Sequence, residues 1–340
     1  MREDPAHEDP PAVAATPRGF DAFQRRHRVV GFPIAVAYKY FDDTGAYLAA
    51  LLTYYGFVSL FPLLLLLSTI LGIVLANDPQ LRDRILQTAL AQFPIVGDQL
   101  DEPQRLSGGT MGITIGVVGT LYGGIGVAQA LQHSMNTAWN IPRNSRPNPF
   151  AARGRSLLLL AVGGLGVVAM TAVSIVVGTG NVSGAVARPL VALGATGVGI
   201  VVLVTVFRMS TARAVTVRQV LPGAMFAAVC WQLLQQFGIA YVDHVVRAAS
   251  TTTGVFAIVL GLIAFIYLSS VTVLLGVEIN VVRVERLYPR ALLTPFTDHV
   301  LLTDGDRRSY AGQARAMRNK GFQQIDVAFG PSPAEHDPSD

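Results

Sequence analysis

Residues Thr44–Ala76 read TGAYLAALLTYYGFVSLFPLLLLLSTILGIVLA, 33 positions without a charged side chain, bounded by Asp42 and Asp43 before and Asp78 after. A helix rises about 1.5 Å per residue, so about 20 residues cross a hydrocarbon core of about 30 Å. The stretch is longer than that and carries Pro62 in its middle. It predicts a long transmembrane helix, kinked at the proline, whose first turns lie at the membrane interface.

The rest of the chain has the composition of the same environment. Of 340 residues, 51% are hydrophobic and 14% charged, with a mean hydropathy of +0.45. Soluble domains carry about 25% charged residues. The deficit follows from the cost of an ionised side chain facing lipid. Backbone polar groups must also be satisfied internally there. The chain therefore reads as an all-α, polytopic integral membrane protein. Cys230 is the single cysteine, so neither an intrachain disulfide nor a cysteine-based metal site is expected. The polar, Pro-rich first 20 residues lack the apolar region of a secretory signal, and no cleaved signal peptide is expected.

Six uncharged runs are each long enough to cross: about 47–76, 108–131, 156–177, 189–207, 220–241 and 251–277. Residues 1–17 read as a disordered tail, 18–290 as a six-helix membrane domain, and 291–340 as a mostly disordered cytoplasmic tail. Between tail and first span, Phe20, Phe23, His27 and Val30 recur at helical spacing among Arg25, Arg26, Arg28 and Lys39, which predicts an amphipathic helix on an anionic leaflet. A second short amphipathic helix is expected from Leu81, Ile85, Ala89 and Phe93. With the N-terminus cytoplasmic, inside segments carry 21 Lys and Arg and outside loops 5. Without the long closing tail the split is still 13 to 5, so both ends are expected in the cytoplasm.

Polar residues in the spans are few and clustered. Gln129, Gln132, His133 and Asn136 share one helical face at the inner end of the second span, followed by Trp139, Arg143, Arg146, Arg153 and Arg155. One reading is a polar vestibule that receives an anionic headgroup, with Arg143 and Arg146 as its contacts. The other is that these side chains hydrogen-bond between helices while the arginines set topology. Gln232, Gln235 and Gln236 make a second polar face in the fifth span, and Glu278 and Asn280 sit where the sixth meets the cytoplasm. Glu278 is expected to pair with a nearby arginine. In the first span, Tyr55, Ser59 and Pro62 line one face at the kink, a candidate hinge against the second span. The pairs Gly112/Gly116 and Gly119/Gly123 fit the spacing that lets helix backbones approach closely.

Absences narrow the function. No span carries a charge at its centre, so the usual mark of ion-coupled transport is missing. No GxxxxGK[ST] motif supplies ATP binding, and the histidines fall without ligand spacing. Neither catalytic residues, cofactor nor metal are expected, and the reading is not an enzyme.

Three blocks resemble the YihY/BrkB family of inner-membrane proteins, once mislabelled ribonuclease BN. They are AYLAALLTYYGFVSLFPLLLLLSTILG, GIGVAQALQHSMNTAWNIP with Asn136 and Trp139 in the family's Asn-x-x-Trp pattern, and LLGVEINVV with Gly276, Glu278 and Asn280. The resemblance covers roughly residues 18–290. It implies six helices in the bacterial cytoplasmic membrane and a part in envelope integrity; some relatives are candidates for moving lipid. The expected function is binding or translocating a lipid or other amphipathic substrate without an ATPase of its own. The alternative is a non-transporting scaffold supporting envelope integrity. Expected partners are membrane lipids and either a second copy of the chain or another envelope protein, with no nucleic acid.

Overall fold

The computed structural model describes residues 19–74, 80, 109–179, 184–241, 244, 251–292, 294 and 300–330. Those residues form helices α1 (Phe20–Arg26), α2 (Arg28–Asp42), α3 (Gly45–Val74), α4 (Gly109–Ala138), α5 (Pro149–Thr179), α6 (Gly184–Ser210), α7 (Val217–Tyr241), α8 (Thr251–Glu285) and α9 (Asp304–Ala316), with no strand among them. Five apolar segments are long enough to cross a membrane: Thr114–Ala138, Pro149–Met170, Pro189–Ser210, Val217–Tyr241 and Phe256–Glu285. In α3, a 30-residue helix that continues through Pro62, the corresponding apolar stretch is Gly45–Leu60.

The long helices form a ring. Each packs on the next in chain order from α3 to α8, and α8 returns to α3, while α4 also reaches α6 and α8. Large apolar side chains such as Leu165, Leu193, Phe237 and Phe256 face outward, as bilayer contact requires. Close approach is set by glycine. A methyl built on Gly123 of α4 would lie 2.4 Å from Ser59 Cβ of α3, and one on Gly119 would lie 2.6 Å from the Pro62 ring. At the α7–α8 crossing, a methyl on Gly223 would lie 1.8 Å from the Gly276 carbonyl oxygen. Only a hydrogen fits at these positions.

Two expectations change here. The single interfacial helix is two helices, because the backbone turns extended at His27, with φ −108° and ψ 99°. Phe20 and Phe23 are exposed, but Lys39, expected among the surface cations, is fully buried. The closing segment, expected to be mostly disordered, contains α9, whose start is closed by a capping box between Thr303 and Asp306. The helix expected around Leu81–Phe93, the tail 1–17 and residues 331–340 lie outside the described residues.

Candidate functional site

The main apolar core lies at one end of the ring, where Met135, Trp139, Phe207, Val220, Val277, Val281 and Val282 meet Ala35 and Val36 of α2. Trp139 is buried there with the Arg213 guanidinium 5.3 Å over its ring. The connecting segments gather around this core. Asn136 Oδ1 accepts from the Ala212 amide at 2.8 Å, Arg213 pairs with Glu285 at 2.6 Å, and Asn144 N donates to Arg318 O at 3.2 Å.

Two buried ionic groups hold α2 and α9 to this end of α8. In the first, Lys39 pairs with Asp43 one helical turn on, and its Nζ lies 4.0 Å from Glu278 Oε2. The three side chains are 0, 4 and 3% exposed. In the second, Arg290 donates from Nη2 to Asp42 at 2.9 Å and from Nε to Asp306. Asp306 also accepts from the Ala291 amide at 3.0 Å and caps α9 through the Thr303 amide at 2.9 Å. Gln24 of α1 closes the group by donating to Arg290 O at 2.6 Å. Burial pulls the Arg290 pKa down, but Asp42 and Asp306 outweigh it and leave the guanidinium above its ordinary value. Burial pushes the Asp43 carboxyl up against the opposing pull of Lys39.

The polar face expected on the second span is divided among separate partners. Gln132 donates to Ser156 Oγ at 3.0 Å and Ala152 O at 3.2 Å, tying α4 to α5. His133 Nδ1 lies 3.3 Å from Arg146 Nη1, and Arg146 also donates to Ile141 O at 3.2 Å. Burial, with Arg143 nearby, lowers the Arg146 pKa. Gln129 is half-buried and Arg143 is exposed. Asn280 ties α8 to α7, accepting from the Gly223 amide at 2.8 Å and donating to Val220 O at 3.0 Å. Glu278, expected to pair with an arginine, faces Lys39 instead, because α2 rather than a loop arginine packs on this turn of α8.

Two neighbouring cavities, each partly open, lie between the long helices. One of about 200 Å³ lies between α3, α4 and α8, bounded by Leu52, Gly56, Val127, Leu131, Phe265 and Ile266. The other, about 190 Å³, lies between α5, α6, α7 and α8 and includes Met170, Thr196, Gly199, Ala228 and Gln232. Trp231, Ser269 and Val273 line both. Gln236 points out of the ring and is exposed. The Tyr55, Ser59 and Pro62 face lies against Gly126, Gly123 and Gly119 of α4, the second-span partner expected for it.

Lys39, Asp42, Asp43, Arg290 and Asp306 escaped the sequence reading. A signal existed for three of them: Asp306 stands three residues after Thr303 in a capping pattern, and Lys39 and Asp43 are spaced one helical turn apart. Nothing local marked the Arg290–Asp42 and Lys39–Glu278 contacts, whose partners lie more than 200 residues apart along the chain.

Apolar, membrane-length helices in a closed ring define a multi-pass helical membrane protein. The family described as Virulence factor BrkB matches residues 36–296, and the chain belongs to that family. The match includes Lys39, Asp43, Glu278 and Arg290 and stops short of Asp306. No curated protein and no solved structure matches the chain.

Proposed function

We propose that the chain crosses the bacterial cytoplasmic membrane six times, with both ends in the cytoplasm, and binds a lipid or similar amphiphile by its acyl chain. In this reading α3 is the sixth span, because its 30 residues cover about 45 Å. The end that gathers α1, α2, α9 and the arginine-bearing loops is the cytoplasmic one, in keeping with the positive-inside rule. The protein has no ATPase and no catalytic chemistry of its own.

The observation that carries the reading is the pair of apolar cavities meeting at Trp231, Ser269 and Val273. Apolar surroundings with few polar groups suit a hydrocarbon chain. Headgroup passage along the second span draws no support from Gln132 and Asn136, whose amides are committed to other helices. A scaffold role has less behind it, because Gly119, Gly123, Gly223 and Gly276 are used within the chain.

The test is leaflet exchange of a labelled anionic lipid in proteoliposomes, comparing wild type with Ser269→Phe. Faster exchange with wild type than in empty vesicles, largely lost in the folded variant, is expected. Equal rates in protein-containing and empty vesicles would count against translocation.

A further inference from the structure

We propose that Lys39, Asp43 and Glu278 form a proton-binding site, in which one exchangeable proton is shared by the two carboxyls beside a charged Lys39.

Charge balance is the first ground. All three side chains are buried, and Lys39 supplies one positive charge against two carboxylates. Fully ionised, the site carries one uncompensated negative charge away from water, which burial strongly disfavours. Binding one proton makes it neutral, with no other bond made or broken.

Hydrogen bonding is the second. Lys39 Nζ is engaged by Asp43 Oδ2, and Glu278 Oε2, buried and 4.0 Å from Nζ, accepts no hydrogen bond. The Asp43 and Glu278 carboxyls converge on the same ammonium, Asp43 by direct pairing and Glu278 at 4.0 Å. Two ionised carboxylates only accept, so a proton held between them supplies a donor that the pair otherwise lacks.

Surrounding groups do not remove the imbalance. On α2, Asp42 shares Arg290 with Asp306 of α9, so that group brings no spare positive charge. Tyr40 of α2 brings a neutral phenol, which burial keeps protonated. The described part of α3 brings no charged side chain. On and after α8, Arg283 is held by the Arg218 and Gln219 carbonyls, and Glu285 by Arg213. Among the described residues, no group of His, Cys, Asp and Glu is arranged to hold a metal ion in its place.

The site joins α2 to α8, so proton occupancy sets how firmly those helices hold together at this end. Loss of the proton leaves Asp43 and Glu278 repelling across the contact. This inference does not depend on lipid binding.

The test is infrared difference spectroscopy of the full chain in nanodiscs, following the carbonyl stretch of protonated carboxylic acids in H2O and D2O. At neutral pH the wild type is expected to show one such band that shifts in D2O and on [13C]glutamate or [13C]aspartate labelling. Glu278→Gln and Asp43→Asn should each abolish it, because the remaining carboxylate then pairs with Lys39 in a neutral site. The labelled wild type alone decides if a variant does not fold. No protonated-carboxyl band at neutral pH would overturn the proposal. So would a band that persists in both variants or ignores both labels.

Discussion

Arg283 of α8 donates from Nη2 to the carbonyl oxygen of Arg218 in α7, at 2.6 Å. That carbonyl would ordinarily accept from the amide four residues on, but the residue there is Pro222, which has no N–H. An arginine on the neighbouring helix thus satisfies a gap that a proline opens. Arg283→Met should lower stability by about 1 kcal/mol. In a Pro222→Ala background, where the helix regains its own donor, the same change should cost much less. Thermal unfolding of the four proteins in one detergent measures the coupling; equal costs in both backgrounds would refute it.

The glycine contacts make a ranked prediction. Gly223→Ala places a methyl 1.8 Å from the Gly276 carbonyl oxygen, which is backbone and cannot rotate away. A cost at or above about 3 kcal/mol is expected, the upper end of overpacking. Gly123→Ala meets Ser59 backbone at 2.7 Å and should be nearly as severe. Gly126→Ala meets the Tyr55 ring, a side chain able to turn, and should be the mildest of the three. Unfolding midpoints in that order would bear the packing out.

Arg290 anchors the closing segment. Asp306→Asn breaks a fully buried ion pair and leaves Asp42 as the remaining carboxylate on the guanidinium, so a loss of about 3 kcal/mol, the lower end for a buried pair, is expected. Thr303→Ala removes the helix cap and the hydroxyl's bond to Pro289 O but no charge, and should cost about 1–2 kcal/mol. Limited proteolysis should then cut residues 300–330 much faster in the first variant than in the second.

Much of this was legible in the sequence. Uncharged runs located five membrane-length apolar helices among the described residues, since bilayer crossing depends on length and hydropathy along one segment. The Tyr55, Ser59 and Pro62 face and the Gly119/Gly123 pair were readable because helical spacing fixes which residues share a face. The role of Lys39 was not. An ammonium beside an apolar run resembles a surface cation until Glu278, distant along the chain, is brought beside it. Gln132 and Asn136 were found as polar residues, but which partner each binds depends on α5 and the Ala212 turn.

Tyr40 gives a pH dependence. Burial, with the Tyr267 phenol nearby, raises its phenol from the ordinary 10.0 to about 12. The folded state therefore holds the proton more tightly than the unfolded one. Its contribution is fully present below the unfolded value and is lost as pH rises through the folded one. Stability should fall between about pH 10 and 12, and Tyr40→Phe should flatten that part of the profile. Denaturation midpoints across the range provide the check.

The most direct measurement is photocrosslinking with a phospholipid that carries a diazirine on its acyl chain, in reconstituted membranes, with adducts mapped by mass spectrometry. Acyl-chain binding inside the ring predicts adducts on Trp231, Ser269 or Val273, removed by excess unlabelled lipid. Adducts confined to outward positions such as Leu165, Leu193 and Phe256 would contradict it.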